Sequence, residues 1–111
     1  EKNQIFTRGY DKHVQGKKVL VVEDITTTGG SVRKVVDSVK AAGGEVVGVC
    51  VMVNRNADIN ESIVGGPYHA LAFIQADAYD EGECPLCAQN VPINTEVGKG
   101  REYLAKKQAT A

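Results

Sequence analysis

The pattern that most constrains the fold is an apolar run that ends in two acidic residues and continues into a loop. Residues 19–22 are all apolar, Glu23 and Asp24 follow them, and residues 25–30 hold three threonines and two glycines. Valines then recur at i, i+3, i+4 and i+7 from Val32 onwards, which is the spacing of a helix with one apolar face. The pattern predicts a buried strand over 19–23, a tight loop and a helix over 30–42.

The segments that follow extend this unit into a parallel sheet. Residues 46–53 are apolar without alternation, which is typical of a central parallel strand covered on both faces. A third strand is predicted over 69–74, with a short helix over 59–64 before it. Strands that alternate with helices in this way indicate right-handed crossovers and an α/β fold.

The remaining segments are less regular. A short strand over 5–7 precedes a polar loop that runs to Gly16, and a final helix is expected over 100–108. We expect one domain over 1–111, with an irregular tail over 76–111. The chain starts at Glu1 without Met, and we therefore expect it to be the carboxyl-terminal part of a longer protein.

Composition excludes several classes of partner. The net charge is −1, which gives no electrostatic basis for binding nucleic acid or an anionic membrane surface. No apolar run approaches the roughly 20 residues that a membrane-spanning helix needs. Three cysteines do not make a disulfide framework, and we expect a cytoplasmic protein.

The loop after the first apolar run has the chemistry of a sugar-phosphate site. Successive strand side chains point to opposite faces, so Glu23 and Asp24 diverge and can reach different parts of one ligand. Carboxylates suit the 2- and 3-hydroxyls of a ribose, directly or through a divalent metal ion. Backbone N–H groups and hydroxyls at a helix amino terminus suit a phosphate. A site for a diol and a site for a phosphate, one loop apart, match ribose 5-phosphate. The alternative interpretation is an ordinary strand–turn–helix junction.

Residues 21–31 resemble the signature of the type I phosphoribosyltransferases, which use 5-phosphoribosyl 1-pyrophosphate (PRPP). That signature is an apolar strand, two acidic residues and a T-x-G-G-S-like loop. The resemblance implies a Rossmann-like parallel-sheet core, here without most of the amino-terminal hood, and transfer of ribose 5-phosphate from PRPP to a nucleobase. It implies catalytic roles for Glu23 and Asp24, with PRPP held by these two and by Thr26, Thr27, Thr28, Gly29, Gly30 and Ser31. Mg²⁺ would be bound through PRPP rather than directly by the protein, and family members are commonly homodimers.

The base is expected to be orotate, which would place the reaction in pyrimidine nucleotide synthesis. Arg55 follows the predicted central strand, and in orotate phosphoribosyltransferases an arginine at the corresponding place binds the orotate carboxylate. Thr27 is a second candidate for contact with the base. A solvent-exposed loop arginine is the alternative for Arg55.

A basic segment precedes the first predicted strand, where the orotate enzymes carry a mobile loop that closes over pyrophosphate. Arg8, Lys12 and His13 are the candidates here, although the segment is shorter than that loop and does not match it residue by residue. A plain solvated loop is an equally good interpretation.

Cys84 and Cys87 have the C-x-x-C spacing of half a zinc site. A closed zinc site requires four ligands, and the sequence shows no second pair. A zinc site, a redox or disulfide role and a plain structural role all stay open.

Two other functions are compatible with these residues. A PRPP-binding regulator or inactive module would keep residues 23–31 and bind PRPP without an acceptor base. A purine phosphoribosyltransferase would need an aromatic residue and a lysine near the base, which the sequence does not identify.

Overall fold

A computed structural model describes Phe6 and residues 9–110. Arg8 and most of the strand expected over 5–7 lie outside these residues. The chain forms two compact units, Glu1–Asp77 and Ala78–Ala111.

The first unit is a parallel sheet with helices between its strands. Its three strands are hydrogen-bonded in the order β1–β2–β3, and both pairings are parallel. This confirms the predicted α/β class and places the most apolar segment in the centre of the sheet. The elements are α1 (Tyr10–Val14), β1 (Lys18–Thr26), α2 (Gly30–Ala41), β2 (Glu45–Asn54), α3 (Glu61–Val64) and β3 (Tyr68–Phe73).

Strand β1 runs three residues further than predicted. Its register against β2 continues to the pair Thr26 and Asn54, so Glu23 is not the last residue of the strand and Asp24 also lies within it. The uninterrupted apolar run ends at Val22, but the backbone hydrogen bonds of a strand do not depend on apolar side chains. The two carboxylates therefore have the fixed directions of strand residues.

The core lies on one face of the sheet. Val32, Val36 and Val39 of α2 are buried, which confirms the predicted valine stripe, and Val35 of the same stripe is partly buried. They form one cluster with buried side chains of the sheet and of the α3 region, namely Val21, Val49, Val51, Ile59 and Val64.

The other face of the sheet is open to solvent in this structure. Met52 of β2 is 60% exposed, and Val22 of β1 and Leu71 of β3 are 70% and 69% exposed. The prediction that both faces of β2 are covered is therefore wrong for this structure, because the core cluster with α2 occupies only the Val49 and Val51 face. An apolar run shows that a strand tolerates burial on two faces, but it does not supply a second layer.

The second unit contains two helices, α4 (Pro85–Ala88) and α5 (Gly100–Thr110). The expected final helix is confirmed and is two residues longer than predicted. Helices α1 and α4 were not predicted, because each has at most five residues and carries no apolar periodicity. None of the helices in the described part of the chain has the length and apolarity to cross a membrane.

We expect Val36→Ala to lower the free energy of unfolding by about 2 kcal/mol or more, because it removes a fully buried side chain and leaves a cavity. Val22→Ala removes the same atoms from the open face of the sheet and should change stability by less than about 0.5 kcal/mol. Urea unfolding of the two variants measures the difference. Equal losses would contradict the assignment of the core to one face.

Candidate functional site

The carboxyl end of β1 opens onto a cavity of about 330 Å³. Its lining is one uninterrupted segment, from Glu23 through the loop to Val32 in the first turn of α2. Every residue that the sequence suggested for PRPP lies in this segment.

The two carboxylates diverge at the cavity. Glu23 is half-buried and lies on the same face of β1 as Val21, whereas Asp24 is exposed on the same face as Val22. The backbone N–H of Asp24 donates to Glu23 Oε1 at 3.0 Å, and the N–H of Ile25 donates to Asp24 Oδ1 at 2.6 Å. These bonds restrain both carboxylates, which can accept hydrogen bonds from hydroxyls or approach a cation.

Thr26 connects the three strands at this edge. Its hydroxyl donates to Asn54 Oδ1 at 3.2 Å and lies 2.8 Å from the Tyr68 hydroxyl, so it joins β1 to β2 and β3. Thr26 is only 2% exposed. Its hydroxyl is therefore directed at protein partners.

The loop reaches α2 through a glycine that no other residue replaces without strain. Gly29 has φ 78°, the left-handed region that side chains disfavour. A Cβ at Gly29 would lie 2.9 Å from Ile63 Cγ2. Thr28 Oγ1 accepts a long hydrogen bond of 3.4 Å from the N–H of Gly30, the first residue of the helix.

The start of α2 favours an anion. The helix has 12 residues and carries no acidic side chain in its first turn. Its leading N–H groups have no partner within the helix, and the helix dipole is positive at this end. The cavity thus combines carboxylates on one side with an anion-binding helix terminus on the other.

Two asparagines support the loop, and the sequence analysis did not identify them. Asn56 Nδ2 donates to the Thr27 carbonyl oxygen at 3.1 Å, and Asn54 Oδ1 accepts from the Asn56 N–H at 3.1 Å. The backbone N–H of Arg55 donates to the Thr26 carbonyl oxygen at 2.9 Å. Their position directly after the central strand was the available signal, since strand ends in a parallel sheet meet at one edge.

The structure brings the Arg55 backbone to the loop but directs its side chain elsewhere. Arg55 is half-buried, and its Nη2 donates to the Ala76 carbonyl oxygen at 3.2 Å. Arg55 does not line the cavity, whereas Thr27 does.

Lys12 and His13 lie far from the cavity within one chain. Both are exposed in α1, and Gly16, just after that helix, donates its N–H to the Gly43 carbonyl oxygen at 2.9 Å, beside the start of β2. Strand β1 separates this end of the sheet from Glu23, the first residue of the cavity lining, by five residue steps, or about 17 Å. Arg8 lies outside the described residues.

Cys84 and Cys87 are reduced and half-buried in the second unit. Across residues 6 and 9–110, no three His, Cys, Asp or Glu side chains cluster as metal ligands would. The structure thus gives these cysteines no third ligand within the described chain.

Comparison with known proteins matches this site to a family. Residues 10–64 match the phosphoribosyl transferase domain, a range that includes β1, the loop, α2 and β2. The chain belongs to the phosphoribosyltransferase family. The residues that match the family include all those that line the cavity.

Several of the relatives that the chain resembles are orotate phosphoribosyltransferases. The chain is 49% identical over 77 residues to the orotate phosphoribosyltransferase of Desulforamulus reducens, covering 69% of this chain and 39% of the relative. It is 42% identical over 79 residues to that of Caldanaerobacter subterraneus, covering 71% of this chain and 40% of the relative. The chain thus spans about two fifths of the length of these relatives.

A solved structure agrees with the fold. The orotate phosphoribosyltransferase of Mycobacterium tuberculosis H37Rv, crystallised in complex with inorganic phosphate, superposes with a TM-score of 0.50 at 44% identity. The match covers 54% of this chain and 37% of that protein.

We expect Gly29→Ala to lower the free energy of unfolding by about 1–3 kcal/mol, because it combines a strained φ with a contact against Ile63. Gly30→Ala is the matched control, because a Cβ there meets only Thr28 Oγ1 at an ordinary 3.6 Å and Ala suits a helix better than Gly. Urea unfolding compares the two. A Gly29→Ala variant as stable as Gly30→Ala would show that the loop does not need its left-handed residue.

Proposed function

We propose that this chain carries the PRPP site of a phosphoribosyltransferase that transfers ribose 5-phosphate to orotate and releases pyrophosphate. The observation that carries the proposal is the uninterrupted lining of one cavity by two diverging carboxylates and a Thr/Gly loop at a helix amino terminus. Membership of the phosphoribosyltransferase family and the names of the relatives support it.

The 5-phosphate binds at the loop and the start of α2. Backbone N–H groups of Gly29 and Gly30, with the hydroxyls of Thr27, Thr28 and Ser31, provide the hydrogen-bond donors. Thr26 has a positioning role in this proposal, because its hydroxyl is already bonded to Asn54 and Tyr68.

Glu23 and Asp24 bind the ribose hydroxyls. As pyrophosphate departs, C1 of the ribose gains positive charge, and carboxylates held in place before the reaction stabilise that charge without reorganising. The protein therefore contributes through positioning and electrostatics rather than through a covalent nucleophile.

Mg²⁺ would bind at this site together with the substrate. The carboxylate oxygens of Glu23 and Asp24 are hard ligands of the kind that Mg²⁺ prefers, and Asp24 is exposed at the cavity. When bound with PRPP, the ion would offset charge on the pyrophosphate. Glu23 and Asp24 would hold it through the ribose hydroxyls and water.

Arg55 and Thr27 are the proposed contacts for orotate. The guanidinium has five N–H donors in a planar fork that matches a carboxylate. A single Nη2 bond to the Ala76 carbonyl oxygen does not use all of them. Binding of orotate would turn the Arg55 side chain toward the loop that its backbone already contacts.

A homodimer would give Lys12 and His13 a role at pyrophosphate. These side chains are exposed in α1, at the end of the sheet that lies about 17 Å along β1 from Glu23 of the cavity lining, and this distance exceeds the length of either side chain. In a dimer they would serve the cavity of the partner, together with Arg8. The cytoplasmic location expected from the sequence stays a prediction.

A PRPP-binding module without transfer activity is the second candidate. Residues 23–32, which line the described cavity, include no lysine or arginine to neutralise pyrophosphate. Such a module would bind PRPP and leave orotate unchanged.

We expect Asp24→Asn to weaken PRPP binding by more than about tenfold, because the neutral amide loses the charged acceptor for the ribose hydroxyls. Isothermal titration with PRPP and Mg²⁺ measures the affinity. Asp58→Asn is the control, since Asp58 is an exposed aspartate that does not line the cavity. An unchanged affinity for the Asp24 variant would remove Asp24 from the site.

We expect orotate absorbance to fall when the protein is supplied with PRPP and Mg²⁺, and we expect Arg55→Ala to slow that loss by more than about tenfold. Arg101→Ala, an exposed arginine of α5, controls for loss of positive charge. Binding of PRPP without loss of orotate would favour the binding module or another acceptor, such as a purine. Absence of PRPP binding would reject the proposed function.

A further inference from the structure

The second unit contains a cysteine pair that the proposed function does not use. The pair flanks the start of α4, where Cys84 precedes Pro85, the first residue of the helix. The backbone N–H of Cys87 donates to Cys84 Sγ at 3.4 Å. Because Pro85 has no N–H, its backbone offers no donor that would compete for this sulfur.

The two thiols also contact each other, and they do so asymmetrically. The Cys87 N–H and then the Cys87 thiol donate to the Cys84 sulfur, and these bonds lower the pKa of the Cys84 thiol. The same thiol–thiol bond, followed by burial and by the charges of Cys84 and Glu81, raises the pKa of Cys87. One cysteine is thus suited to attack as a thiolate, and its neighbour holds its proton.

We propose that Cys84 and Cys87 form a thiol–disulfide exchange site for low-molecular-weight disulfides, with Cys84 as the attacking cysteine and Cys87 as the resolving cysteine. The observations behind it are the bond from the Cys87 N–H to Cys84 Sγ across one helical turn and the partial exposure of both cysteines to solvent. It is independent of the PRPP site and does not rest on the proposed function.

The incoming small disulfide is the oxidant in this exchange. The Cys84 thiolate attacks one sulfur of the small disulfide, a bond forms between them, and the first small thiolate leaves. Cys87 then loses its proton and attacks Cys84 Sγ, which breaks the mixed disulfide and releases the second small thiolate. The two cysteines are oxidised to one disulfide, the small disulfide is reduced to two thiols, and the two protons from the cysteines end on those thiols.

The third cysteine provides an internal comparison. Cys50 lies in the middle of β2, in the first unit, and is paired through its backbone with strands on both sides. The first unit holds no second cysteine, so Cys50 has no resolving partner there.

The test exposes the reduced protein to oxidised glutathione, quenches with acid and follows intact mass and peptide maps. We expect the protein without substitutions to lose the mass of two hydrogen atoms and to yield a peptide with a Cys84–Cys87 disulfide bond. Cys50→Ser should behave in the same way. Cys87→Ser should accumulate glutathione on Cys84, at least about threefold faster than Cys84→Ser accumulates it on Cys87.

Three results would overturn the proposal. One is the absence of a Cys84–Cys87 bond in the unmodified protein, and another is equal glutathionylation of the two single variants. The third is a stoichiometric Zn²⁺, released to a colorimetric chelator, that protects the pair from glutathione and assigns it to metal binding. Circular dichroism of each variant confirms that folding is unchanged, so that a loss of reaction reports on the thiols.

Discussion

The arrangement of the site depends on the buried hydroxyl of Thr26. It bonds to Asn54 of the central strand and to Tyr68 of the third strand, so that all three strands are joined where the cavity opens. A buried hydroxyl without partners is costly, and here two partners satisfy it. The loop that starts at Thr27 therefore leaves from a fixed point.

The same asparagine continues the network away from the sheet. Asn54 Oδ1 accepts from Asn56, whose side chain in turn holds the Thr27 carbonyl oxygen. Buried polar networks of this kind are rigid when every member is satisfied. Within the described residues, no buried side-chain nitrogen or oxygen lacks a partner. The loop is thus positioned from β2, although its own residues come from β1 and α2.

The sequence predicted those features of the fold that repeat along the chain or lie within a short segment. The valine spacing gave α2 and its buried face, and the uninterrupted apolar run gave the central strand. The cavity lining could be predicted because it is one continuous segment. The position of Asn54 at the end of the central strand was a signal, but its bond to Thr26 and that of Tyr68 could not be predicted, since they form only when the sheet is assembled.

The features that could not be predicted have equally specific causes. The bonds of the Thr26 hydroxyl to Asn54 and Tyr68 could not be predicted, because sequence does not show which way a side chain points at the end of a strand. The open face of β2 was missed because an apolar run has the same sequence whether one face or both faces of the strand are covered. The direction of the Arg55 side chain depends on a carbonyl 21 residues away, beyond the reach of any local pattern.

The continuity of the cavity lining also bears on how the site forms during folding. Its residues are at most nine positions apart, so bringing them together costs little chain entropy compared with the pairing of β1 and β2 across α2. The geometry of the loop is therefore encoded locally, and the distant bonds through Thr26 and Asn56 select and hold it. An insertion or deletion within these ten residues would change the whole lining of the cavity at once. Changes of loop length elsewhere in the chain would leave the chemistry of the segment intact.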